Sequence, residues 1–140
     1  MREILFRGKI NSDVHSVLNG LWIEGGLRQD SDLHTAYIHG FYYYTDDCAL
    51  QREPFEYEVD PATVGQYTEL TDKNGKKVFE GDIVKVSLSG SSYFGRVEYE
   101  CGCFWICNSD IKVPDTINHF KKSFIEVIGN IHDNPELVEV

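Results

Sequence analysis

With 140 residues, 41% of them hydrophobic and 13% aromatic, the chain is long enough to bury a core without a metal or a disulfide, and its composition is not that of a largely disordered chain. Acidic residues outnumber basic ones 23 to 13, and the resulting net charge of −10 opposes generic attraction to nucleic-acid backbones or anionic lipid. Met1 to Gly8 lacks the apolar core of a signal peptide and no run reaches the length of a membrane span, so the four cysteines read as reduced thiols in a cytoplasm.

Ile4 to Gly8 reads as a short first strand, followed by the turn chemistry of Asn11-Ser12-Asp13. Apolar character resumes at Leu21-Trp22-Ile23 and is expected to end at Gly25-Gly26, a pair suited to a bend or a close backbone approach, with Trp22 as a core anchor. Thr35 to Thr45 is dense in β-formers between Asp30-Ser31-Asp32 and Asp46-Asp47, which predicts one or two strands with Gly40 as a bulge. Within it, Tyr42, Tyr43 and Tyr44 are a candidate interaction or base-stacking surface; strand periodicity instead predicts alternate tyrosines packed inward, with the middle one on the other face.

Phe55-Glu56-Tyr57-Glu58-Val59 alternates apolar and acidic residues, the pattern of a strand with one face buried. Asp60-Pro61 then caps and starts a helical turn that Gly65 stops. Gln66 to Leu70 and Val78-Phe79 flank Asp72-Lys73-Asn74-Gly75, a hairpin signal; the same residues resemble the start of a calcium loop but lack its closing Glu. From Gly81 onward come Ile83 to Leu88, a Ser89-Gly90-Ser91-Ser92 turn, Phe94 to Cys101, Phe104 to Asn108 and Phe124 to Ile131, strands spaced as in a small barrel or a strongly bent sheet. Ile111 to Lys122 carries no clear pattern, and Asn134-Pro135-Glu136-Leu137 suits a final helical turn.

Cys101, Cys103 and Cys107, with His119, are the one group that suggests zinc. A structural site brings a second ligand pair from elsewhere, and neither Cys48 nor the other histidines (His15, His34, His39, His132) supplies one, so the cysteines read as core packing. Asp46-Asp47 reads as a polar turn. No phosphate-binding glycine loop, nucleophile elbow or dinucleotide fingerprint is present, so no catalytic, cofactor or metal residue is assigned.

Val59 to Thr68 (Val-Asp-Pro-Ala-Thr-Val-Gly-Gln-Tyr-Thr), then Asp72-Lys73-Asn74-Gly75-Lys76 and Phe79-Glu80-Gly81-Asp82-Ile83-Val84, resemble the YopX-like family of phage and prophage proteins. Ile125 to Ile131 (Ile-Glu-Val-Ile-Gly-Asn-Ile), with Asn134-Pro135-Glu136-Leu137, resembles that family's closing motif, and Arg7-Gly8-Lys9 with Trp22 and Gly25 its start. Glu69 departs from the pattern, standing where the family usually has glycine, and Ile10 to Gly20 is not typically spaced.

The resemblance implies a mainly β or α+β protein with little helix and an SH3-like C-terminal unit, carried by a mobile element, working in a bacterial host cytoplasm and without a catalytic residue. Pro61, Gly65, Gln66, Tyr67, Asn74, Gly75, Gly81, Asp82, Gly129, Asn130, Asn134 and Pro135 are then fold-specifying residues. The expected organisation is an N-terminal β-rich subdomain of hairpins over 1–64, packed on a hairpin and SH3-like barrel over 65–140 as one compact unit. The expected function is that of a non-enzymatic accessory protein with no cofactor and no membrane, binding an unknown phage or host protein or forming a homo-oligomer. Nucleic-acid binding or DNA mimicry is the alternative, and metal-assisted hydrolysis through Asp, His or Cys ranks last.

Overall fold

Alternating apolar residues and turn formers fold as their period demands. In the computed structural model, which describes residues 4–11, 16–88, 90–108, 111–117 and 122–137, all strand pairings are antiparallel and single 3-10 turns are the only helix among the described residues. The expected turn residues Ser12, Asp13 and Ser89, together with His15, His119 and Lys121, lie outside them. The chain divides into two compact units, one spanning Ile4–Gln66 and the other built from the described residues after Gln66.

In the first unit, β1 (Phe6–Lys9), β2 (Trp22–Asp30), β3 (Thr35–Thr45), β4 (Leu50–Val59) and the start of β5 (Gly65–Thr71) lie in the order β4-β3-β2-β1-β5. Ala36, Ile38 and Val59 are fully buried, and Phe6, Ile23, Leu27, Phe55 and Val64 pack on them. Contrary to expectation, β2 does not end at Gly25-Gly26: Gly25 pairs with Phe6 and Gly26 with His39, so the strand passes from one neighbour to the other. Close approach is what these glycines serve, since a Cβ on Gly25 would lie 2.2 Å from the His39 carbonyl oxygen. Trp22 is half-buried rather than a core anchor, with the Arg7 guanidinium 4.6 Å from its ring centre.

The expected bulge at Gly40 is also absent. The β3–β4 register runs without interruption from Ala36 opposite Val59 to Thr45 opposite Leu50. Gly40 faces Phe55, whose ring lies 2.8 Å from where a Cβ would sit, so the ring covers bare backbone and the strand stays regular. Asp60 accepts the Ala62 N–H at 3.0 Å, Pro61–Thr63 forms the expected turn, and Gly65 opens β5 opposite Arg7.

In the second unit β5 pairs with β6 (Lys77–Phe79). Between them the Gly75 N–H bonds the Asp72 carbonyl at 3.0 Å and Gly75 takes φ +80°, so Lys73 and Asn74 are the central turn residues and Gly75 the left-handed step after them. The Asp72 carboxylate, 1% exposed, accepts the Asn74 and Lys76 N–H groups of the turn on Oδ1 and the Val127 N–H on Oδ2, each at 2.9 Å. Gly81 turns the next corner with φ +92°, where the Asp82 carboxylate accepts the Phe79 N–H at 2.8 Å.

β7 (Asp82–Leu88), β8 (Ser91–Glu100), β9 (Cys103–Asn108) and β10 (Ile111–Thr116) make a meander. β11 (Ile125–Asn130) returns to pair with β7, giving the order β10-β9-β8-β7-β11 over a core that includes Val84, Val97, Ile106 and Ile125. Thus β10 occupies the stretch that had no clear pattern. The expected barrel does not close: among the described residues β10 and β11 remain the edges of an open sheet. Gly129 leaves room for Asn134, whose Oδ1 accepts the Asn130 N–H at 3.3 Å before the turn Pro135–Leu137.

Candidate interaction surface

β2 pairs with β3 only as far as His39, while β3 and β4 continue together to Thr45 and Leu50. Residues 40–45 and 50–55 therefore form a two-stranded ribbon that outruns the buried residues Ala36, Ile38 and Val59. Phe41, Tyr42, Tyr43, Tyr44 and Leu50 on this ribbon are 49%, 54%, 62%, 42% and 67% exposed. This corrects the expectation that alternate tyrosines pack inward. They do alternate between two faces, but neither face has a core at that distance along the strand.

One face carries Phe41, Tyr43, Arg52 and Pro54, and Arg52 lies 4.6 Å from the Phe41 ring centre. Nearer the base, Arg28 lies 4.1 Å from the Tyr37 ring centre and bonds both Glu56 oxygens, at 2.7 and 3.2 Å. That bond holds Arg28 above its ordinary pKa and Glu56 below its own. A shallow recess of about 560 Å³ lies here, lined by Arg28, His39, Gly40, Phe41, Pro54, Phe55 and Glu56. The opposite face carries Tyr42 and Tyr44, ring centres 6.1 Å apart, with the Tyr44 hydroxyl donating to Glu53 Oε1 at 3.3 Å. Partial desolvation first, and then the Glu53 charge, raise the Tyr44 pKa.

The ribbon is closed by Asp46, which accepts the Cys48 and Ala49 N–H groups at 2.9 and 3.0 Å and is held below the usual carboxylate range by them, so Asp46-Asp47 is the turn that was expected. β4 is an edge strand. At its base the Asn11 N–H reaches the Glu58 carbonyl and the Asp60 N–H the Lys9 carbonyl, so even-numbered residues of β4 turn their backbone groups outward. Pro54 is one of these and presents no N–H there, a feature that blunts strand-to-strand pairing.

The cysteines do not assemble. Cys101 and Gly102, with φ 54° and 78°, form the two-residue turn between β8 and β9. Cys101 and Cys103 are exposed, so the core-packing expectation holds for Cys107 alone, whose thiol donates to Glu98 Oε2 at 3.3 Å. Among the described residues no group of three or more His, Cys, Asp or Glu converges to hold a metal. Sequence reasoning missed Phe41, Leu50 and Arg52; its available signal was the run Phe41–Tyr44, four consecutive aromatics that leave neither face of a strand polar.

An all-β protein with an exposed aromatic hairpin is the class that this fold and surface define. The family model described as YopX protein matches residues 24–139, and the chain belongs to the YopX family. A crystal structure of protein EF1440 from Enterococcus faecalis is similar over 99% of this chain and 100% of that one, with a TM-score of 0.58 and 24% identity, a likeness of fold. No curated protein matches the chain. No helix among the described residues is long and apolar enough to cross a membrane.

Proposed function

We propose that this YopX-family chain is a phage or prophage accessory protein of the bacterial host cytoplasm that works as a non-enzymatic interaction module, with the β3–β4 hairpin as its contact surface. The observation that carries this reading is the exposure of Phe41, Tyr42, Tyr43 and Tyr44 on a ribbon beyond the core. Four half-exposed rings present roughly 300–500 Å² of surface, and covering it yields about 7–12 kcal/mol before the costs of association. That area falls short of the roughly 800 Å² per partner of a standard interface, so further contacts with the phage or host protein join it.

The SH3-like reading of the C-terminal sheet is supported by its connectivity: a four-strand meander, a 3-10 turn, and a last strand that pairs back on the first. It is an analogy of fold and carries no activity. Affinity capture from phage-carrying cells, run in parallel with wild type and a Phe41→Ser/Tyr43→Ser variant of unchanged circular dichroism, tests the reading. A partner retained by the wild type and lost by the variant is expected. Equal recovery by both contradicts the hairpin assignment, and no recovery with a monomer in light scattering removes the interaction reading altogether.

A further inference from the structure

The two faces of the hairpin differ in their cations. On the Phe41–Tyr43 face the chain supplies its own, with Arg52 over Phe41 and Arg28 over Tyr37. On the opposite face, the even-numbered positions of β3 from 36 to 44 and the odd-numbered positions of β4 from 51 to 59 include no Lys, Arg or His. Toward the tip this face is aromatic and anionic instead. Tyr42 and Tyr44 stand 6.1 Å apart with rings tilted by 34°, and Glu53 pairs across from Tyr42 and accepts the Tyr44 hydroxyl.

A tyrosine ring presents negative potential from its face, and a carboxylate adds a full charge beside it. A guanidinium or ammonium group is the ligand attracted by all three side chains at once. The charge around them points the same way: between Thr35 and Val59, Asp46, Asp47, Glu53, Glu56 and Glu58 stand against Arg52, and Arg28 of β2 bonds Glu56 on the other face, within a chain of net charge −10.

We infer that the face formed by Tyr42, Tyr44 and Glu53 binds a basic polypeptide segment, with an arginine or lysine side chain over the tyrosine rings and against the carboxylate. This partner chemistry rests on the interaction reading above and adds to it a contact on the hairpin face opposite Phe41 and Tyr43. Nucleic acid fits the face poorly, because its phosphates would meet carboxylates with no Lys, Arg or His at these β3 and β4 positions to receive them. A second copy of the chain would bring the same acidic hairpin, and like charges oppose that pairing.

The test titrates the isotope-labelled full chain, at physiological salt, with hexa-arginine, hexa-lysine and an oligothymidylate, and follows amide resonances. Hexa-arginine is expected to shift Tyr42, Tyr44, Gln51 and Glu53 most, hexa-lysine to shift the same residues, and oligothymidylate to leave them unmoved. Tyr42→Ala/Tyr44→Ala should weaken hexa-arginine binding about tenfold, and Glu53→Gln about threefold. Tyr43→Ala, on the other face, should leave it unchanged. Retention of the Ala36 and Ile38 resonances checks that each variant is folded, and Glu53→Gln stands alone if the double variant is not. Shifts spread over other acidic segments, equal weakening by Tyr43→Ala, no binding, or tighter binding of oligothymidylate would each overturn the inference. If hexa-arginine fails while Phe41→Ser/Tyr43→Ser still loses its captured partner, the inference falls and the interaction reading stands.

Discussion

Burial pushes the Asp72 carboxyl up, but the N–H groups of Val127, Lys76 and Asn74 together outweigh it and leave the group below the ordinary aspartate range. A carboxyl whose folded pKa is depressed contributes stability above the unfolded value, and that contribution is lost as pH falls through the folded one. Urea denaturation should therefore show the wild type losing stability below about pH 4. Asp72→Asn carries no charge and turns an NH₂ toward backbone donors, so it should cost about 1–3 kcal/mol at neutral pH and show a shallower acid dependence; an unchanged midpoint would refute this role. The turn role of Asp72 was legible from Asp72-x-Asn74-Gly75. Its bond to Val127, 55 residues away, was not, because local spacing carries no record of which strand returns.

Along β2 and β3, glycines that read alike in sequence have different consequences. At Gly25 an added Cβ meets the His39 carbonyl oxygen, part of a fixed backbone, and Gly25→Ala should cost about 3 kcal/mol. Gly40→Ala meets the end of the Phe55 ring, which can rotate aside, and should cost about 1 kcal/mol or less. Thermal unfolding of the two variants checks the order, and a Gly40 variant as unstable as the Gly25 one would contradict it. Tyr43→Ala should change stability by no more than about 0.5 kcal/mol, as expected for an exposed position. A period of two told which tyrosines share a face. It did not tell where the core stops, since that depends on β2 leaving β3 at His39.

Across the whole molecule, Asp60-Pro61, Asn74-Gly75 and Gly81 were legible as corners because each has a local conformational reason. Barrel closure was not, since it depends on strand tilt and stagger, here including the register shift between Val127 and Gly129. The hairpin proposed as the contact surface precedes all three corners in the chain and depends on exposure. Its most direct test is site-specific photo-crosslinking in phage-carrying cells, with a benzophenone side chain placed at Leu50 on the hairpin or at Tyr99, also exposed, in the second unit. Adducts to a protein partner from Leu50 and none from Tyr99 are predicted. Adducts from Tyr99 alone, or from neither position, would contradict the hairpin as the contact surface.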